Sequence, residues 1–392
     1  MNLKPVIARL LDLREPEGNL VTVTLDVAKT GILPETTRVF LKDALHSLPA
    51  EGGLPQIARR IRDYVDRELR PESDGVCLVA GPNQWEAIEL RVPLPNLLHR
   101  GSVPYLAPLV AAMQEFPKTY VVSVSERDAG LRSVELGDWS DLGHWTVEAL
   151  DRDPERILSG RSPAGRFALR QRAGSGIGGS KRDRFDRALE SQTARMLAGL
   201  THRIAADHAF APASVVCCFG DHEHFPLLRR LLPATLQGRA EDLGPAPRDE
   251  PSVRAAVEDV LKRRAAERRD SELREFYQRR GQGYLVALGP ADVLVHRTSG
   301  KLARVFLDAL DPVMATQCRS CQAFHADPDP VCDYCGGKTR PVSLTQAIVA
   351  HALSHPPLGL TFVRGPVAWL RESGGMAGLL SQKGLRIRKQ AP

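Results

Sequence analysis

The chain has 392 residues, 43% of them hydrophobic and 26% charged, with a formal net charge of +6. That length suits two to four domains, each able to bury a core, and the composition excludes a wholly disordered chain. No apolar run approaches the roughly 20 residues of a membrane-spanning helix, and residues 1–13 lack the apolar block and cleavage site of a signal peptide, so a cytoplasmic protein with no membrane partner is expected.

In chain order, residues 3–14 have helical spacing, 21–27 alternate as a strand, and 35–48 and 56–69 are again helical. Short apolar runs predict strands over 75–80 and 87–92, and 106–114 reads as a helix. Residues 120–124 form a β-branched run, with 126–130 as a turn and 131–136 as its return strand. A long polar segment, 151–184, is rich in Gly, Arg and Ser. After it Phe185, Leu189, Met196, Leu197, Leu200 and Ile204 mark one face of a long helix. Residues 215–219 predict a buried strand and 222–232 a helix. The Pro-, Gly- and charge-rich stretch 237–250 is a candidate linker. Beyond it Val253, Val257, Val260 and Leu261 open a highly charged helix, with Ser252 expected as N-cap and Gly281 as the residue that ends it. Residues 284–288 and 359–363 predict strands with a helix over 344–353 between them. The expected fold class is α/β (mixed α+β) in three domains, 1–118, 119–240 and 241–392.

The strongest chemical signal is Cys318-Arg-Ser-Cys321 and Cys332-Asp-Tyr-Cys335, two pairs ten residues apart. Each pair can aim two thiolates at one point, and four thiolates make a closed tetrahedral site whose usual occupant is Zn²⁺. Disulfides, unrelated thiols and an iron–sulfur cluster are the alternatives. The odd total of seven cysteines and the absence of an export signal favour reduced thiols and metal. A closed four-thiolate site has no open position for water, so the metal's expected role is structural. The intervening segment has no apolar core, so metal would hold a ribbon together at 316–340. His325, between the pairs, is expected at the surface, because four thiolates already suffice.

The second signal is Gly174-Ser-Gly-Ile-Gly-Gly-Ser-Lys181. Gly174, Gly176 and Gly179 satisfy the dinucleotide spacing, but charged residues precede them where an apolar strand is required. A phosphate-binding P-loop requires Gly-Lys-Ser/Thr, and here the order is Gly179-Ser180-Lys181. A loop that meets RNA phosphate fits better: Arg170, Arg172, Lys181, Arg182, Arg184 and Arg187 flank glycines that let backbone approach a polyanion. The alternative is a solvated basic loop.

Gly178-Gly179-Ser180-Lys181-Arg182-Asp183-Arg184-Phe185-Asp186-Arg187 resembles the Gly-Gly-Gln-Ser-x-x-Arg-Phe-x-Arg segment of the archaeo-eukaryotic class-1 release factor and Pelota family. The Gly-Gly, the Arg184-Phe185 pair and Arg187 fall in register. Residues 120–136 resemble the start of that family's central domain. The ending Ser373-Gly-Gly-Met-Ala-Gly-Leu-Leu380 is similar to its Gly-Gly-Ile-x-Ala-Leu-Leu close, and Val103-Pro-Tyr-Leu-Ala-Pro-Leu109 looks like the N-domain of its bacterial branch, which includes the hibernation factor Balon.

The resemblance implies a release-factor-like architecture with a zinc ribbon inserted in the C-terminal domain. The N-domain would face the decoding centre and the central loop the peptidyl-transferase centre. The C-terminal domain would resemble the kink-turn-binding ribosomal-protein fold. The implied function is a ribosome-binding translation factor, a monomer, that contacts rRNA in the A site of idle or stalled ribosomes. It would act in hibernation or ribosome protection, with an elongation-factor GTPase as a candidate partner. Ser180 stands where the family's hydrolases carry the glutamine that positions water, so no catalytic residue is assigned, and no Asn-Ile-Lys-Ser stop-codon motif is present. The alternatives are a ribosome-rescue peptidyl-tRNA hydrolase using a different group, with Ser180 as candidate, and a zinc-containing protein-interaction module.

Asp221-His222-Glu223-His224 offers metal-ligating side chains, but residues two apart on a helix diverge, and a solvated helix start is expected there. The charged helix from 253 is read as a solvated face with i,i+4 pairs, with rRNA contact as the alternative.

Overall fold

The apolar and polar halves of the alternating run at 21–27 are both covered, which alternation alone does not foresee. The computed structural model describes residues 3–15, 17–27, 33–146, 181–210, 215–283, 285–355, 358–363 and 367–381, without the side chains of residue 4, 181–189 and 210. Helix α1 (Leu3–Asp12) precedes strand β1 (Leu20–Asp26), helices α2 (Glu35–His46) and α3 (Leu54–Arg67), and strands β2 (Gly75–Gly81), β3 (Gln84–Leu90) and β4 (Leu97–Gly101). Helix α4 (Ala107–Glu115) follows. The sheet runs β3-β2-β1-β4, antiparallel throughout. Val21, Val23 and Leu25 share a core with Ile57, Ile61 and Tyr64 of α3. On the other face Thr24 Oγ1 donates to the Pro95 carbonyl (2.6 Å), and Thr22 Oγ1 accepts the Tyr105 N–H (3.0 Å). The threonines thus satisfy backbone groups of 95–105 instead of water, which makes their burial affordable.

The middle of the chain forms a second sheet. Strands β5 (Thr119–Val124), β6 (Asp128–Glu135) and β7 (Asp138–Thr146) are an antiparallel meander. Helix α5 (Lys181–Phe210) leads to β8 (Val215–Gly220), which pairs in parallel with β5. Helices α6 (Phe225–Leu231) and α7 (Ala234–Gln237) then lead to β9 (Ala240–Asp242), parallel to β8. The order is β7-β6-β5-β8-β9. Met196, Leu197, Leu200 and Ile204 of α5 pack on Tyr120, Val122, Val216 and Cys218 of the sheet, as the helical spacing predicted.

Helix α8 (Glu250–Gly281) opens the last third. Strand β10 (Val286–Leu288), helix α9 (Gly289–Thr298) and strand β11 (Leu302–Asp308) follow, and then three ribbon strands, β12 (Met314–Cys318), β13 (Phe324–His325) and β14 (Thr339–Ser343). Helix α10 (Leu344–Ser354), strand β15 (Gly359–Val363), helix α11 (Ala368–Glu372) and strand β16 (Met376–Leu380) complete the described chain. The main sheet is β10-β16-β11-β15, with β11 and β15 parallel. Phe276 of α8 is fully buried and stacks on Trp369 at 4.5 Å, with Phe306 at 5.0 Å. The ribbon is therefore an insertion between β11 and α10 that leaves the main sheet intact.

The fold is mixed α+β, and the chain packs as two compact units: residues 1–115 with 263–392, and residues 116–262. Inside the first unit, Tyr105 Oη donates to the Ala309 carbonyl (3.1 Å), and the Leu106 N–H donates to Gln346 Oε1 (2.7 Å). These buried bonds join the first sheet's segment to the last third of the chain.

Several local expectations change. Strands β4, β7, β11 and β16 were not foreseen. The candidate linker at 237–250 starts on the last residue of α7 and contains β9, so part of it is sheet. The helix expected from 222 begins at Phe225. Asp249, not Ser252, caps α8: its carboxylate accepts both the backbone N–H and the hydroxyl of Ser252, each at 2.9 Å. Helix α8 does end at Gly281, as expected, and the left-handed residue that follows it is Gly283 (φ 76°).

In the second unit Asp207 of α5 accepts from Lys118 Nζ at 2.6 Å and from Tyr120 Oη at 2.7 Å. Burial alone would raise its carboxyl pKa, but donation by these two groups outweighs it and holds the value below the ordinary carboxylate range. Replacing it, Asp207→Asn, is expected to cost about 1.5–3 kcal/mol at neutral pH, the usual contribution of hydrogen bonds to a charged group. Because the folded value is depressed, the contribution is complete above the unfolded carboxylate pKa and disappears as pH falls through the folded one. Urea denaturation of both proteins between neutral and acid pH checks this: the gap should close at the acid end.

Candidate functional site

The two Cys-x-x-Cys pairs fold into turns that are backbone copies of one another. The Cys318 N–H donates to the carbonyl five residues on (Ala323, 2.8 Å), and its carbonyl accepts from the N–H four residues on (Gln322, 3.2 Å). Cys332 does the same with Gly337 (2.8 Å) and Gly336 (2.8 Å). Each turn passes through a left-handed residue at the fourth position, Gln322 (φ 61°) and Gly336 (φ 69°). Glycine adopts that conformation without strain. Gly337 matters for a different reason: a Cβ there would lie 2.7 Å from Ser320 Oγ and 3.2 Å from Cys318 Sγ, so a side chain would displace the Ser320 hydroxyl and crowd the Cys318 sulfur where the two turns meet.

Closure brings the four Sγ atoms within 4.8 Å of one another. Cys318 Sγ is 3.5 Å from Cys335 Sγ, and Cys321 Sγ is 3.6 Å from Cys332 Sγ. No pair is a disulfide. Sulfurs at tetrahedral corners around a metal with bonds of about 2.3 Å lie about 3.8 Å apart, so the cluster has the size of a four-thiolate site. The backbone N–H groups of Ser320 and Cys321 point at Cys318 Sγ (3.3 and 3.4 Å), as suits a thiolate. Donation by Cys321 and Ser320 backbone outweighs burial and lowers the Cys318 pKa. For Cys332 burial works upward, but the N–H groups of Cys335 and Tyr334 and the His325 ring outweigh it and hold the thiol down at about 6.

His325 is a correction. It is buried, not a surface residue, and its Nε2 lies 3.2 Å from Cys332 Sγ, with Nδ1 3.5 Å from an Asp333 carboxylate oxygen. The ring therefore supports a ligand thiolate without itself being a fifth ligand. The available sequence signal was the position of a single histidine seven residues before a candidate ligand. Four thiols already fill such a site, so nothing local to the sequence marks this histidine as their support.

The other candidates lie elsewhere in the chain. Arg170, Arg172, Gly178, Gly179 and Ser180 lie outside the described residues. Lys181, Arg182, Arg184 and Arg187 occupy the first two turns of α5, with side chains outside the description. His222 is exposed, with Nδ1 2.5 Å from Asp242 Oδ2, an ion pair at the ends of β8 and β9; its Asp242 hydrogen bond raises its pKa. Among the described residues the four cysteines are the one group of His, Cys, Asp or Glu assembled at metal-binding spacing. Cys77 and Cys218 lie in buried strands, where burial pushes both thiols up to about 12, which removes them as nucleophiles. No described helix is long and apolar enough to cross a membrane.

No family model matches the chain, and no curated protein is significantly similar to it. Among solved structures, an archaeal translation termination factor is 13% identical, with 96% of each chain covered and a TM-score of 0.25. Ribosome-bound archaeal Pelota, solved with ABCE1, is 11% identical over 96% of this chain and 93% of its own, with a TM-score of 0.40. S. cerevisiae Dom34, a translation termination-like factor, is 8% identical over 76% and 73%, with a TM-score of 0.39. Identities and scores this low assign neither family nor function.

Proposed function

We propose that the chain is a ribosome-binding translation factor of the release-factor and Pelota type, of its bacterial, Balon-like branch. It would occupy the A site of idle or stalled ribosomes without cleaving peptidyl-tRNA. The observation that carries the reading is the sequence of 178–187 together with its place in the fold. The motif runs directly into a 30-residue helix whose far half is anchored in the core of its unit. From Thr193, the first described buried residue of α5, back to Lys181 is twelve residues, or about 18 Å of helix at 1.5 Å per residue. In the sequence Gly178-Gly179-Ser180 directly precede the described start of α5, and four cationic residues occupy its first two turns, the end of a helix that favours phosphate. The insertion of the ribbon between β11 and α10, and the placement of Gly374-Gly375 directly before β16, agree with the same reading. Contacts to rRNA, a cytoplasmic location, a monomeric state and delivery by an elongation-factor GTPase are parts of this proposal.

Zn²⁺ held by Cys318, Cys321, Cys332 and Cys335 belongs to it as a structural ion, because all four corners are protein thiols. His325→Ala should weaken zinc binding by about 10–100-fold, the usual effect of removing a hydrogen-bond partner from a ligand. Competition against a colorimetric chelator measures this.

Ser180 supplies neither the reach nor the amide of the glutamine in the release factors it resembles. A peptide-release assay on ribosomes carrying peptidyl-tRNA in the P site, with saturating protein, should therefore stay at background. Release that depends on Ser180 would replace this reading with that of a rescue hydrolase.

A further inference from the structure

Within the first unit lies a cavity of about 450 Å³, inside the usual range of about 300–1,000 Å³ for small-molecule sites. The first sheet's connecting segment, α4, α8 and the ends of β11 and β15 enclose it. Its walls are largely apolar: Pro93, Leu94, Pro108, Ala112, Phe362 and Val363 all face it.

The polar groups at its edge are mostly committed. Glu272 pairs with Arg304 and accepts from Thr361 Oγ1 at 2.6 Å. Arg268 donates to the Gln114 carbonyl at 2.8 Å, and Gln114 Nε2 donates to the Leu360 carbonyl at 3.2 Å. Asp308 uses one carboxylate oxygen, Oδ1, on the Leu310 N–H at 2.8 Å. Two carboxylates of the lining keep acceptor capacity without a partner among the described residues: Asp308, through its other oxygen, and Asp26, whose backbone N–H alone is engaged, by Asn96 Oδ1 at 2.9 Å. The lining also carries the Arg269 guanidinium, which has no partner among the described residues. Burial holds the Asp26 carboxyl above its ordinary value, a cost that an arriving cation relieves.

We propose that this cavity is a binding site for a small organic cation, an amine carried on an apolar body. The body would fill the Pro/Ala/Phe/Val walls, and the ammonium would pair with Asp26 and the free oxygen of Asp308. An apolar neutral molecule would desolvate two carboxylates without return, and an anion would meet them directly. Because the walls come from both ends of the chain, residues 26–115 and 268–363, the ligand also bridges the two halves of this unit. None of its lining residues belongs to the ribbon or to 178–187.

The test is titration calorimetry of the full chain with three probes that share one indole body: tryptamine, a cation; tryptophan, a zwitterion; and indole-3-acetate, an anion. Tryptamine is expected to bind at least about tenfold more tightly than either of the others, as charge-assisted pairing requires. Asp26→Asn, which keeps shape and removes charge, should weaken tryptamine about tenfold or more. Ala111→Phe, which fills the space beside α4, should abolish binding while circular dichroism stays native. Tryptophan or indole-3-acetate binding as tightly as tryptamine would overturn the assignment. So would a folded Asp26→Asn of unchanged affinity, or no tryptamine binding at millimolar concentration.

Discussion

Neutralising Lys181, Arg182, Arg184 and Arg187 together, each to Gln, is expected to weaken ribosome binding by about 10²–10³-fold near physiological salt. These four residues sit in the first two turns of α5, directly after Gly178-Gly179-Ser180. Their proposed partners are rRNA phosphates, and each phosphate contact releases condensed counterions. Removing four contacts should therefore flatten the slope of log K against log salt by about 3–4. That slope separates phosphate contact from a folding defect: a misfolded helix would lose binding without leaving a shallower residual salt dependence. Glutamine retains helix propensity, so α5 itself should survive. Filter binding or sedimentation across a salt series measures both quantities. A variant whose affinity and slope equal those of the unsubstituted protein would mean that the basic start of α5 is a solvated surface.

Substituting one ligand, Cys332→Ser, should reduce bound zinc from one ion per chain to none detectable and release the ribbon from its fixed structure. The sheet β13-β12-β14 has few long apolar side chains to hold it, and its second turn exposes Val331 and Tyr334. On the proposed zinc reading its order depends on the four thiolates, because metal binding in ribbons of this kind is folding free energy, about 10–16 kcal/mol in isolated peptides. The main sheet should not follow. Phe276, Phe306, Trp369 and Leu379 form its core without any ribbon residue. Hydrogen exchange should therefore accelerate across 314–343 and remain slow in β11, β15 and β16, and a chelator should reproduce the pattern in the unsubstituted protein. Undiminished zinc content in Cys332→Ser, or a loss of protection spread over the whole unit, would contradict this account.

The ribbon shows how far residues alone reach. Cys-x-x-Cys spacing is a local signal, because each pair needs only one tight turn, and the structure brings the four sulfurs together. The contribution of His325 is not local: it depends on β13 pairing with β12 through Thr316 and His325, which carries the ring under Cys332. The same contrast runs through the fold. Strand 359–363 and the helix from 344 were legible because β-branched and apolar runs bounded by Pro, Gly and Ser fix their own ends. Strands β4 (Leu-Leu-His-Arg-Gly) and β7 (Asp-Trp-Ser-Asp-Leu-Gly-His-Trp-Thr) were not legible. Both lie at sheet edges, where partner hydrogen bonds and not composition decide the conformation. Strand β9 is three residues long and exists through its parallel pairing to β8, so its Glu and Asp content read as linker. The burial of Thr22 and Thr24 belongs to this group too, since the segment that covers them arrives some seventy residues later.

The measurement that tests the central proposal most directly is sedimentation of the purified full-length chain with ribosomes through sucrose gradients at moderate salt. It needs three arms: vacant ribosomes, ribosomes with tRNA in the P site only, and ribosomes with the A site also filled. Occupancy of the A site predicts comigration in the first two arms and displacement in the third. Comigration that an occupied A site does not reduce, or no comigration in any arm, would contradict it.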